Sequence, residues 1–186
     1  MSEPPRDAPK RAPEKVSSLV LVNTGEGKGK STAAFGTAMR AAGRGWNVCV
    51  IQFLKSDRWK TGEEQAARRL GIDWWTLGDG FTWDSEDMEQ TEAVARAAWE
   101  AAREKIAGGE HRLVVLDEIT YAVNWGWIGE AAVVEAIRSR PADVSVIVTG
   151  RDASAAIVAL ADTVTEMVKR KHAFDAGITA LAGIEF

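Results

Sequence analysis

Three glycines, two lysines and a Ser-Thr pair fall within ten residues, in the stretch NTGEGKGKST from Asn23 to Thr32. Glycine lets a backbone turn tightly and leaves room for a bulky anion. Lys28 and Lys30 supply positive charge, and a helix starting behind them adds free N–H donors. These types at this spacing describe a cradle for phosphate. The usual phosphate-loop pattern is glycine, any four residues, then Gly-Lys-Ser/Thr. Gly29, Lys30 and Ser31 close that pattern, but Thr24 stands five places before Gly29 and Gly25 comes one place late. The loop is a variant with an extra Gly-Lys pair inside it. The backbone through Thr24, Gly25, Glu26, Gly27, Lys28, Gly29, Lys30, Ser31 and Thr32 is expected to wrap a triphosphate with successive N–H groups. Lys30 and Lys28 are expected to reach phosphate oxygens, and the Ser31 hydroxyl is placed for Mg²⁺.

A second half of such a site would be an acid at the end of a buried strand, holding Mg²⁺ through its ligand shell. RLVVLDE, residues 112 to 118, ends in Asp117 and Glu118. A third feature is aromatic. Trp74, Trp75, Phe81 and Trp83 lie within ten residues, and Trp125 and Trp127 follow the acid pair. Phe81 and Trp83 sit in the glycine-bounded loop GDGFTWDS, residues 78 to 85. Two readings stand on spacing alone: they fold back into the core, or they wall a large, flat, apolar ligand.

These residues need elements to hold them. SLVLVN (18–23), NVCVIQFLK (47–55), IDWWTL (72–77), RLVVLDE (112–118), VSVIVTG (144–150) and TVTEMVK (163–169) read as strands. Helical spacing marks 30–45, 61–71, a long segment from Asp84 or Ser85 to about Ala107, 129–140 and 154–161. In the long helix Met88, Val94, Ala95, Ala98, Trp99, Ala102 and Ile106 define one face. The tail from Arg170 has no clear period. Strand alternating with helix implies an α/β, three-layer P-loop (RecA-like) fold, with a mainly parallel sheet of about six strands covered on both faces. The phosphate loop joins the first strand to the first helix, at the carboxyl end of the strands where such sheets bind ligands.

At 186 residues, 46% hydrophobic, the chain reads as a single domain from 16 to 186. Residues 1–15 hold four of the five prolines with charges of alternating sign, and are expected to be a disordered tail. A net charge of −4 argues against nucleic acid as a main partner. No apolar run reaches the roughly 20 residues of a membrane span, and the N-terminus lacks the apolar core of a signal peptide. The single cysteine, Cys49, reads as a buried structural thiol and fits a reducing cytoplasm. His111 and His172, the only histidines, are expected on the surface.

TGEGKGKST, VIQFLK, GDGFTWDSED, LDEITYAVNWGW, TGR and FDAGITALAGIEF together resemble one family, from about Ser18 to Phe186. It is the P-loop-type ATP:corrinoid adenosyltransferases, acting on cob(I)yrinic acid a,c-diamide or cob(I)alamin. The resemblance implies transfer of the 5′-deoxyadenosyl group of ATP to the cobalt of a reduced corrinoid, with release of triphosphate. It implies that ATP lies reversed relative to most P-loop enzymes, so that C5′ faces the acceptor. By the same resemblance, Lys28, Lys30 and Ser31 grip the triphosphate. Glu118 joins Ser31 at Mg²⁺ (or Mn²⁺) with Asp117 in support, and Arg151 of TGR contacts the nucleotide. Phe81 and Trp83 match residues that form an apolar wall below the corrin ring, displace its lower ligand and so ease reduction of cob(II) to cob(I). The acceptor is cobalamin, cobinamide or cobyrinic acid a,c-diamide. A flavin-dependent reductant protein and a homodimer are further implications. Two other functions remain open on the residues alone: a P-loop ATPase or kinase acting at the γ-phosphate, and a nucleotide-binding module that uses the aromatic loop as an interface.

Overall fold

A computed structural model describes residues 14–56, 61–78 and 88–185. Phe81, Trp83 and most of the N-terminal tail lie outside those residues. Six strands alternate with helices: β1 (Val20–Thr24), β2 (Val48–Ser56), β3 (Asp73–Gly78), β4 (Leu113–Asp117), β5 (Ser145–Thr149) and β6 (Thr163–Glu166). The helices are α1 (Lys30–Ala42), α2 (Gly62–Arg69), α3 (Met88–Gly108), α4 (Ile119–Asn124), α5 (Glu130–Arg138) and α6 (Ala155–Leu160). All strand pairs are parallel, in the order β3-β2-β4-β5-β1-β6.

Every residue of β4 and β5 is buried, as expected for central strands covered on both faces. The two faces carry separate cores. On one, Val48, Val50, Trp74, Val115 and Ile147 pack under Ala34, Phe35 and Ala38 of α1 and Ala67 of α2. On the other, Ile51, Leu116, Val146 and Val148 pack under Ala98, Trp99, Ala102 and Ile106 of α3, with α5 and α6 beside them. Trp74 and Trp75 point to opposite faces of β3. Trp74 is buried against Phe35, with ring centroids 4.8 Å apart, and Trp75 is 36% exposed.

Several expectations need correction. Met88 is exposed rather than on the inner face of α3, where Thr91 takes its place one turn on. His111 is buried, with its Nε2 3.4 Å from Asp73 Oδ2 at the start of β3. β6 stops at Glu166, where the chain leaves the sheet to meet the phosphate loop. The short helix α4 has no counterpart among the helices expected from the sequence pattern. Its inward residues, Ile119, Ala122 and Val123, do follow helical spacing, but six residues are too few to stand out. No helix is long and apolar enough to cross a membrane, among the described residues.

Candidate active site

Because all strands run the same way, their carboxyl ends share one edge. β5 lies between β1 and β4, so the phosphate loop and the Asp117–Glu118 pair are two strand spacings apart, about 10 Å. Register aligns a polar row along that edge: Gln52 pairs with Asp117 and Asn23 with Thr149, and the pairing of Leu116 with Val148 brings Asp117 beside Thr149. Asp117 is fully buried, and both its oxygens are engaged. Thr149 Oγ1 donates to Oδ1 at 2.7 Å, and Gln52 Nε2 donates to Oδ2 at 2.9 Å. Trp74 Nε1 in turn donates to Gln52 Oε1 at 3.2 Å. Lys55 Nζ lies 3.9 Å from Asp117 Oδ2. With each oxygen accepting a hydrogen bond from a buried donor, Asp117 is fixed in place. Sequence reasoning missed Gln52, Thr149 and Lys55. Their signal was the position of each at or near the end of a strand, which becomes informative only once the strand order is known.

Glu118 adopts a left-handed conformation (φ 64°), and its N–H donates to Thr149 Oγ1 at 2.9 Å. Burial, and then the charge of Asp117, push its carboxyl up to about 7, against the pull of Lys55, Lys30 and Arg151. A carboxyl held in this way destabilises the ligand-free protein when ionised. The folded state keeps its proton to about pH 7, whereas the unfolded chain releases it near 4.5. Stability therefore falls as pH rises through that window. Glu118→Gln is expected to leave ligand-free stability unchanged near pH 4.5 and to raise it at pH 8, on the order of 2 kcal/mol. Thermal denaturation at the two pH values checks this; equal effects at both would sink the idea.

The phosphate loop runs from Gly25 (φ 94°) to Gly29 (φ 113°), the residue before α1. Lys30 Nζ folds back to donate to Gly25 O and Gly27 O, each at 2.7 Å. Burial, followed by the neighbouring Arg151 charge, lowers its pKa. Gly27 is packed against the chain leaving β6, and its N–H donates to Met167 O. A Cβ on Gly27 would lie 2.7 Å from Met167 C and O. Glycine here serves a backbone-on-backbone contact as well as room for an anion. The Gly27 N–H is directed at protein, so the expected wrapping by every successive N–H does not extend to this residue. Ser31 is half-buried at the head of α1, and Thr32 is exposed.

Thr24, the odd residue of the loop pattern, has a structural task. Its Oγ1 accepts the N–H of Ala153 at 3.1 Å. Asn124 Nδ2 donates to the carbonyl oxygens of Arg151 and Asp152 at 3.4 and 3.2 Å. Asn23 O accepts from Gly150 N. Those contacts hold the turn carrying Arg151 beside the phosphate loop.

Between that turn, the loop and the C-terminal tail lies a cavity of about 390 Å³. Lys28, Lys30, Arg151 and Lys169 supply its cations, and His172 and Phe174 are among its walls. Lys28 pairs with Glu185. Arg151 pairs with Glu26 at 3.0 Å, and Lys169 with Asp175 at 3.1 Å. Among the described residues, Lys30 is the one cation of the four with no carboxylate partner. His172 is half-buried and its Nδ1 accepts the N–H of Phe174, capping a short 3₁₀ turn (Ala173–Ala176). An aperiodic tail thus closes one side of the pocket, a role that hydrophobic patterning could not reveal. The structure brings Lys28, Lys30, Glu26, Gly27 and Arg151 to one cavity, with Asp117 and Glu118 at the same sheet edge.

A phosphate loop feeding a helix, with an acid pair two strands away on a parallel sheet, defines a P-loop nucleotide-binding protein. The family model for ATP:corrinoid adenosyltransferase BtuR/CobO/CobP matches residues 17–186. The chain is 43% identical over 168 residues to the corrinoid adenosyltransferase of Escherichia coli strain K12, covering 90% of this chain and 85% of that protein. It is 45% identical over 170 residues to that of Pseudomonas aeruginosa, covering 90% and 83%. It is 42% identical over 168 residues to corrinoid adenosyltransferase CobA of Salmonella typhimurium, covering 90% and 85%. The chain belongs to the ATP:corrinoid adenosyltransferase family.

Proposed function

We propose that this protein transfers the 5′-deoxyadenosyl group of ATP to the cobalt of a cob(I) corrinoid, in the biosynthesis or salvage of adenosylcobalamin. The electron pair on cobalt attacks C5′, the C5′–O bond breaks, and triphosphate leaves with the bonding electrons. The acceptor is itself a strong nucleophile, so no side chain has to act as a base. The task of the protein is to hold C5′ against cobalt and to stabilise charge on the departing polyphosphate. The observation that carries this reading is the cavity at the phosphate loop. Its cations are mostly held by carboxylates, while Lys30 rests on neutral carbonyls and can turn to an anion without breaking an ion pair.

Mg²⁺ (or Mn²⁺) fits the donor set. Ser31 and Glu118 offer hard oxygen ligands, and Asp117, held by Thr149 and Gln52, supports them from behind. The raised carboxyl of Glu118 is relieved by a cation beside it. When bound, the ion would neutralise part of the triphosphate charge. Ser31 and Glu118 would hold it, and Lys55 and Arg151 add to the positive field around the acid pair.

Phe81 and Trp83 are assigned the corrinoid wall. An apolar surface that displaces the lower ligand lowers the energy of the orbital accepting the electron, and hydrophobic surroundings tune a metal's potential in this way. The double variant Phe81→Ala/Trp83→Ala is expected to bind ATP within about twofold of the parent. Reduction and adenosylation of cob(II)alamin should fall at least about 100-fold, while chemically supplied cob(I)alamin is still converted. Loss of ATP binding in the double variant would refute the assignment.

The same proposal takes residues 16–186 as one nucleotide- and corrinoid-binding domain in the cytoplasm, with a flavin-dependent protein supplying electrons. A homodimer completes it. Val164 on β6, an edge strand of the described sheet, and Leu181 and Ile184 in the tail expose apolar surface at 42–69%. The direct test is anaerobic: protein, ATP, Mg²⁺ and chemically reduced cob(I)alamin, with cob(I) absorbance and triphosphate both followed. Light-sensitive adenosylcobalamin with matching triphosphate is expected. Inorganic phosphate without a cobalt–carbon product would establish an ordinary ATPase in its place.

A further inference from the structure

At the opposite edge of the sheet, three potential ligands converge from neighbouring segments. Cys49 is the second residue of β2, Asp73 opens β3, and His111 lies two residues before β4. Cys49 and Asp73 are register partners, so their side chains share a face, the one covered by α3. One ligand atom from each of the three lies within 4.8 Å of the others. His111 Nε2 is 3.4 Å from Asp73 Oδ2. The other ring nitrogen, Nδ1, is buried and has no hydrogen-bond partner. His111 as a whole is 8% exposed, and Cys49 is fully buried. A buried polar atom without a partner is costly, and a cation ligated at that nitrogen would remove the cost.

We propose that Cys49, Asp73 and His111 form a binding site for one thiophilic divalent cation, Zn²⁺ by preference, separate from the Mg²⁺ position at the phosphate loop. A thiolate and an imidazole beside one carboxylate suit Zn²⁺, whereas Mg²⁺ prefers oxygen ligands throughout. Metal–ligand distances of about 2.0–2.3 Å place tetrahedral ligand atoms about 3.3–3.8 Å apart. Side-chain rotations that close the present spacing by about 1 Å would therefore complete three positions, with water as the fourth. Asp73 is now held by Trp75 Nε1 at 2.7 Å and Lys105 Nζ at 3.2 Å. Lys105 has somewhere to go: its Nζ already lies 5.0 Å from the centre of the exposed Trp75 ring. Coordination of Cys49 as thiolate releases the thiol proton to solvent. The ion would tie the amino ends of β2 and β3 to the turn before β4.

The chain has one cysteine, which makes the test specific. Metal-stripped full-length protein, without nucleotide, is titrated with Co²⁺. One equivalent is expected to produce a thiolate-to-cobalt charge-transfer band in the near ultraviolet, and one equivalent of Zn²⁺ should abolish it and raise Tm. Cys49→Ser should remove the band, and His111→Gln should weaken binding at least about tenfold. Lys105→Met removes a competing cation and should tighten binding several-fold. This last variant keeps the test informative if the buried ones fold poorly. Co²⁺ bound without a thiolate band, or Lys105→Met leaving affinity unchanged, would overturn the proposal.

Discussion

Lys30→Ala should reduce adenosyl transfer from ATP to cob(I)alamin by about 10²–10³-fold, the usual effect of removing one preorganised donor from developing charge. The loss should appear in kcat more than in KM, because charge builds on the polyphosphate as the C5′–O bond breaks. Stability should change little. In the ligand-free protein the lysine contributes two hydrogen bonds, to Gly25 O and Gly27 O, and both carbonyls belong to the loop that borders the cavity. Single-turnover kinetics with preformed cob(I)alamin, together with a melting curve, measure both quantities. A loss under threefold would mean that Lys30 does not touch the leaving group. Lys30→Arg should rescue poorly: a planar fork cannot replace a compact ammonium between two loop carbonyls. Lys28→Ala should cost less than Lys30→Ala, because the Lys28 ammonium is shared with Glu185.

The largest stability effect is expected at Gly150. This residue has φ 139°, a conformation that residues with a side chain rarely adopt, and a Cβ there would sit 1.9 Å from Thr120 Oγ1. Strain of about 1–3 kcal/mol from the backbone and a similar amount from overpacking should lower stability by about 3–5 kcal/mol in Gly150→Ala. For a chain of this size that is a fall of roughly 10 °C in Tm. Thr120 Oγ1 is buried without a hydrogen-bond partner. Thr120→Ala alone should therefore be close to neutral. Added to Gly150→Ala, it should recover part of the loss and leave the backbone strain in place. No recovery in the double variant would show that the hydroxyl contact is not the source. The same substitution should impair turnover even where the protein stays folded, since Arg151 follows Gly150 directly and its turn is positioned by Asn23, Thr24 and Asn124.

The parts of this site that can be read from the chain are local ones. Gly29-Lys30-Ser31 follows an apolar run and precedes a helical one, and each feature depends on neighbours a few residues away. The acid pair closing RLVVLDE has the same character, as does the alternation of strand and helix that implies a parallel sheet. Central strands buried on both faces are near-continuous apolar runs, so β4 and β5 stand out in sequence. What pairing decides is not written locally. That Gln52 and Thr149 each donate to Asp117 follows from strand order and register, which bring together residues 65 and 32 positions apart. Thr24 looks like a defect in a phosphate-loop pattern until Ala153, 129 residues away, donates to its hydroxyl. His111 carries no apolar signal and reads as a surface residue; only the packing of β2, β3 and α3 around it buries its imidazole beside Cys49 and Asp73. By itself the sequence determined the layers of the fold, the phosphate loop and the acid pair, because short-range periodicity and turn chemistry suffice for them. Tertiary structure alone decided which acid is pinned by Thr149 and Gln52, how the tail closes the cavity, and where Cys49, Asp73 and His111 meet, because each of these depends on contacts between residues far apart in the chain.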